Sequence, residues 1–196
     1  GSPDYPSTPF ALNYEMRGTG TVRAALTLGD TLRYRAETEF NVSPLFDSSF
    51  GETLPVSSEK VGVWWAASGW KISRPRPVPE KQGGAIRIQA ARNEAEAAQL
   101  VVRPAELLRG FLAASAALTG PGGAVIPAEN VDVLRVRYVP VTRPTDVVGV
   151  AAPWPDPLPP FSGPIDVPAN QNQPVWVRIR VPRDTPPGTY TGVVHL

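Results

Sequence analysis

The stretch NQPVWVRIRVPRDTPPGTYTGVVHL, residues 172–196, decides the fold. Val175, Val177, Ile179 and Val181 alternate with Trp176, Arg178 and Arg180, the period of a strand with one buried face. A second alternating run follows at residues 189–196, with Tyr190, Gly192, Val194 and Leu196 on one side. Between them, Pro182, Pro186, Pro187 and Gly188 cannot continue a ladder. Two such runs around a Pro/Gly turn predict antiparallel strands, the second returning along the first. The fold class expected is therefore all-β: an antiparallel β-sandwich of immunoglobulin-like or jelly-roll type with long Pro-rich loops.

Composition supports this class and excludes several functions. The 24 prolines fall between strand-like runs, as in a loop-rich β protein. Lys plus Arg (19) nearly balance Asp plus Glu (18), so the chain has no general electrostatic footprint for nucleic acid or a membrane surface, and neither is expected as a partner. No apolar run approaches the ~20 residues of a membrane span. The absence of cysteine removes disulfides, thiol nucleophiles and cysteine metal sites together. A cysteine-free chain suits a periplasmic or extracellular protein, the localisation expected here, and is equally allowed in the cytosol.

Along the chain, Phe10, Leu12, Tyr14 and Met16 alternate and are followed by a turn at residues 17–20. Strands are predicted over 21–28 and 32–42, completing a meander. A loop with a short strand spans 43–58, and a new strand begins at Val61. Alternate prolines at 75, 77 and 79 make residues 74–79 an extended connector. A short strand is predicted over 85–89. Residues 90–98 have helical composition but are read as a turn leading into a strand over 99–103. Further strands are predicted over 110–118 and 131–141, the latter with a phase slip near Leu134 that suggests a bulge. Residues 142–173 are read as one long loop of the kind that is functional or sits on a partner.

These motifs carry a family likeness. Val63-Trp64-Trp65-Ala66 with Lys71, Ala91-Arg92-Asn93-Glu94 with Glu96 and Gln99, Tyr138-Val139-Pro140-Val141 with Asp146 and Gly149, Trp154-Pro155-Asp156, Asn172-Gln173-Pro174, and Pro187-Gly188-Thr189-Tyr190 occur in order. Together they resemble the N-terminal β-sandwich domain of bacterial glycoside hydrolase family 123-like proteins over roughly residues 60–196. The resemblance implies a domain that precedes a (β/α) barrel acting on β-linked N-acetylgalactosamine by substrate-assisted chemistry. It implies a non-catalytic accessory domain of a β-N-acetylgalactosaminidase-like hydrolase, with the C-terminal catalytic barrel of the same protein as partner and a glycan cleft at its border. The acidic pair of the family belongs to the barrel, so no catalytic residue carries over. Residues 1–56 form an N-terminal β segment with a weaker similarity to a jelly-roll of the carbohydrate-binding type, and residues 57–196 form the sandwich. A stand-alone carbohydrate-binding module and a structural or adhesive surface domain are the alternatives.

Site chemistry is sparse. Glycoside hydrolysis needs two carboxylates about 5 to 10 Å apart, and Glu94 with Glu96, two apart on one strand face, flank no cleft. The single histidine, His195, has no second imidazole or thiol with which to hold a metal, and neither a metal nor a cofactor is expected. Indole faces stack on sugar rings, so the candidates for contact with carbohydrate or barrel are Trp154, Asp156 and Phe161 in the proline-fixed loop, Asp146 upstream of them, and Trp65. Simple packing of the loop is the competing reading. Trp176, beside Arg178 and Arg180, is read as a partner for a cation–π stack.

Overall fold

The computed structural model describes residues 20–28, 30–40 and 42–196. Strands β1 (Gly20–Leu28) and β2 (Thr31–Phe40) form an antiparallel hairpin with a register shift between Leu26 and Thr27. The alternating run of residues 10–16 lies outside the described residues. Next come β3 (Glu52–Thr53), β4 (Val61–Ala67) and β5 (Ala95–Pro104), then the short β6 (Leu108–Phe111), β7 (Ala114–Ser115), β8 (Leu118–Thr119) and β9 (Val125–Ile126). The chain continues through β10 (Val131–Arg135), β11 (Tyr138–Val141), β12 (Ala152–Pro155), β13 (Ile165–Val167), β14 (Gln173–Arg180) and β15 (Val194–His195). Five of these make the principal sheet, in the order β10-β14-β5-β4-β3, antiparallel throughout. The remaining strands of the sandwich form two-stranded antiparallel ladders.

Both faces of the principal sheet are buried. Because successive residues point to opposite sides, Val63, Leu100, Val102, Val131, Val175 and Val177 share one face, on which Phe111, Ala113 and Val167 pack. Trp64, Ala66 and Val101 occupy the other, beneath Phe50, Ile72 and Val78. Trp64 is fully buried. Gly51 permits this, since at φ +94° a Cβ there would stand 2.9 Å from the indole.

The Pro-rich connector is the lid of that second face, and Asn172 holds it down. The Asn172 side chain, 1% exposed, accepts from Trp64 Nε1 at 3.3 Å and donates through Nδ2 to the carbonyls of Ser73 (2.9 Å) and Arg76 (2.7 Å). Arg76 is buried with it, its guanidinium 3.9 Å from the Phe50 ring centre and 4.6 Å from that of Trp64. Its Nη2 donates to the carbonyls of Ser48 and Phe50. Burial lowers the Arg76 pKa to about 10, opposed by the charge of Asp47.

Several sequence expectations are corrected. The run over 189–196 does not return along β14, because β5 and β10 already occupy both of its edges. Instead β15 pairs with β7, and Thr191 bridges to Thr119. Residues 85–89 form no strand, leaving only a single bridge from Gln82 to Thr53. The strand predicted from residue 99 starts at Ala95, where pairing with Arg180 overrides helix propensity, and the turn before it centres on Asn93 at φ 62°. Residues 110–118 hold parts of three short strands rather than one. The phase slip in 131–141 is a change of ladder, not a bulge within one strand: β10 pairs with β14 and β11 with β12. Between them the Arg135 and Arg137 amides donate to the carbonyls of Pro159 (2.8 Å) and Pro157 (2.9 Å). The 142–173 stretch likewise contains β12 and β13. Prolines at 153 and 155 are tolerated there because a two-stranded ladder leaves one edge of each strand unpaired.

Candidate functional sites

The loop residues singled out by sequence do not converge. Trp154 is half-buried on β12 opposite Val139, and its indole N–H donates to the Val150 carbonyl at 2.8 Å, closing its own hairpin. Asp146 caps the turn beneath that hairpin, accepting from the amides of Val148 (3.0 Å) and Gly149. Phe161 turns inward, packing edge-on to Phe111 with ring centres 6.1 Å apart. Trp65 packs on the same core face, and its indole donates to Glu52 Oε2 at 3.3 Å. Lys81, 2.6 Å from Glu52 Oε1, donates to that carboxylate and holds it below the usual range, against the desolvation that would raise it. Glu94 accepts from the Ala91 amide, a turn-capping role.

Arg178 and Arg180 both pair with Asp132, at 2.7 and 3.3 Å, rather than with an indole. Tyr138, like Phe50 and Trp64, takes a cation: the Arg74 guanidinium lies 4.4 Å from its ring centre. The Tyr138 hydroxyl donates to the Ile72 carbonyl at 2.8 Å, and burial pushes its pKa up. Among the described residues no cluster of His, Cys, Asp and Glu is placed to hold a metal ion.

Two concave regions lie on opposite faces of the principal sheet. The first is apolar: adjoining clefts of about 660 and 610 Å³ share Val56, Val63, His195 and Leu196 in their walls. They reach the sandwich core at Leu100, Val102 and Val177. Val56, Leu112, Val193 and Leu196 line them while 68, 43, 58 and 50% exposed, so the core is open on this side.

The second is a niche of about 230 Å³ lined by Trp70, Lys71, Gln99, Asp156, Leu158 and Trp176, among others. Asp156 is the one loop candidate that reaches it. Sequence reasoning missed the niche as a unit because its members come from the end of β4, from β5, from the segment after β12 and from β14. The available signal was Trp176, a large aromatic on the polar phase of an otherwise regular strand.

These are the features of a β-sandwich module with one open apolar side and one aromatic niche. Residues 65–196 match the profile of the glycoside hydrolase 123 N-terminal domain, in agreement with the resemblance carried by the motifs. The chain belongs to that family. Among solved structures it is similar to a family 123 glycoside hydrolase from Clostridium perfringens, studied for glycolipid glycan hydrolysis, with 19% identity and a TM-score of 0.45. The match covers 54% of this chain and 18% of that one, so the chain spans less than a fifth of that enzyme's length. No curated protein matches the chain.

Proposed function

We propose that the chain acts as a non-catalytic accessory domain of a glycoside hydrolase of the β-N-acetylgalactosaminidase type, and that the catalytic barrel of that enzyme covers the apolar clefts beside β15. The observation that carries this reading, together with family membership, is the open core. Leaving Val56, Leu112, Val193 and Leu196 in water while the clefts reach Val177 and Leu100 is costly for an isolated domain, and a packed partner removes that cost. The role is structural: the domain supports the barrel and borders its glycan cleft through the β11–β12 hairpin.

The test is a full-length enzyme carrying this domain, compared as wild type and with Leu112→Glu or Val193→Asp. Both changes are expected to lower the thermal midpoint of the barrel and to render the junction sensitive to protease, with kcat per folded molecule retained. Unchanged barrel stability in both variants refutes the docking assignment. Turnover of a chromogenic β-N-acetylgalactosaminide by the isolated chain, abolished by Asp156→Ala, refutes the non-catalytic reading.

A further inference from the structure

The five tryptophans divide by what their indole N–H groups do. Trp64 donates to Asn172, Trp65 to Glu52 and Trp154 to the Val150 carbonyl. Trp70 and Trp176 donate to nothing among the described residues, and these two both line the 230 Å³ niche. Trp70 is 40% exposed although one of its faces is stacked on Phe50, with ring centres 4.3 Å apart and an interplanar angle of 11°. The ring is held in place from behind while its surface stays available, the arrangement that presents an aromatic platform at low entropic cost.

The other polar groups of the niche are similarly half-used. Gln99 is 2% exposed, and its Nε2 is committed to the carbonyls of Ala67, Ser68 and Trp70 at 3.3, 3.4 and 2.8 Å. Its Oε1 receives no donor from the described residues, although the side chain lines the niche. The oxygen is not sealed off, since it is not among the buried atoms that lack a partner, so it is free to accept from a donor in the niche. The Asp156 carboxylate, exposed at the rim, has no side-chain partner among the described residues. Lys71 makes one long bond, 3.5 Å to the Pro155 carbonyl, leaving donors to spare.

We propose that this niche is a saccharide-binding site that takes a single pyranose ring. Its C–H face would lie on the Trp70 and Trp176 indoles, and its hydroxyls would donate to Gln99 Oε1 and the Asp156 carboxylate while accepting from Lys71 Nζ and an indole N–H. The mixture of donors and acceptors selects this chemistry. A free anion is opposed by Asp156 and a free cation by Lys71, whereas a polyhydroxylated ring both donates and accepts and also has an apolar side. The site stands independently of the barrel-docking clefts, which lie on the other face of the sheet: Leu100 and Val177 line the clefts, and their strand neighbours Gln99 and Trp176 line the niche.

The experiment is a titration of the full chain, labelled with ¹⁵N at the indoles, with methyl β-glucopyranoside, methyl β-galactopyranoside, N-acetylgalactosamine and cellotetraose. Trp70→Phe and Trp176→Phe variants assign the resonances. At least one sugar is expected to shift the Trp70 and Trp176 indole signals saturably, with a Kd of ~1–10 mM, and to leave that of Trp154 in place. Asp156→Ala, a change at the exposed rim, is expected to raise that Kd about tenfold with the thermal midpoint unchanged. Absence of a saturable shift for every sugar, or binding that Asp156→Ala leaves intact, overturns the assignment.

Discussion

Asn172→Ala tests the architecture most directly, because one side chain joins the sheet to its Pro-rich cover. The substitution removes three hydrogen bonds and strands three buried partners: the Trp64 indole N–H and the carbonyls of Ser73 and Arg76. Each buried polar group left unmade costs ~1–3 kcal/mol. The 3.3 Å bond to Trp64 is the weakest of the three, and a water entering the vacated space recovers part of the loss. The net expectation is ~3–5 kcal/mol, or a fall in Tm of about 10 °C for a domain of this size. Urea unfolding followed by tryptophan fluorescence should show a lowered midpoint with an unchanged m-value, since folded and unfolded states keep their compactness. Asn172→Asp keeps the shape but turns a carboxylate on two carbonyl oxygens. It should be as unstable as the alanine variant at neutral pH and should recover as the pH falls, when the protonated carboxyl can donate again. A loss below ~1 kcal/mol for Asn172→Ala would refute the reasoning, by showing that the connector is held by something else.

Three other substitutions probe separate links. Gly51→Ala forces a Cβ to within 2.9 Å of the Trp64 ring and 3.0 Å of Pro79 at a backbone angle unfavourable to alanine; a loss of roughly 2–4 kcal/mol in denaturant titration is expected. Phe161→Ala should destabilise by about 2 kcal/mol through its lost packing on Phe111, whereas a Phe161 serving as an exposed glycan platform would leave stability unchanged. Glu52 has a folded pKa lowered from 4.5, first by its hydrogen bond from Lys81. Its stabilising contribution is thus present above the unfolded value and lost as the pH falls through the folded one. Glu52→Gln should remove that part of the acid-side slope when Tm is followed between about pH 2 and 6, and an unaltered slope would dismiss the ion pair as a contributor.

The sequence makes some of this fold legible and hides the rest for identifiable reasons. Alternation locates β14 and most of β10, whose every second residue faces the apolar core, whereas β4 is an apolar run buried on both faces. It cannot say which strands are neighbours. The 189–196 run reads as the partner of β14, yet its pairing is decided by β5 and β10, which occupy both edges of β14 from distant parts of the sequence. Residues 95–98 have the composition of a helix and become strand through the same competition. Asn172 and Gln173, which open the stretch that reads as a strand, are buried and spend their hydrogen bonds on Ser73, Arg76, Val136 and Pro174. Of the site residues named from sequence, Asp156 reaches the niche, while Trp70, Lys71, Gln99 and Trp176 are brought to it by pairings that no local pattern encodes.

The proline content then has a more specific role than breaking helices. A segment that covers the apolar face of a sheet must dispose of its backbone polar groups without a ladder of its own. In residues 73–79, prolines at 75, 77 and 79 remove three amide donors outright, so only carbonyls and the remaining amides need partners. Those carbonyls are met from the sheet side: Ser73 and Arg76 by the Asn172 amide group, Arg74 by the Asn172 backbone N–H at 2.8 Å, and Pro79 by the Thr53 hydroxyl. A donor-poor strap is thereby laid over Trp64 and Val101 without competing for the hydrogen bonds of β4 and β5. Where the strap does not reach, at the pairing of β5 with β14, the same face is left with Gln99 and Trp176 lining an open niche. The niche is therefore a consequence of how this face is covered, with Gln99 and Trp176 held by the sheet itself and Trp70, Lys71, Asp156 and Leu158 brought to it by the segments that follow β4 and β12.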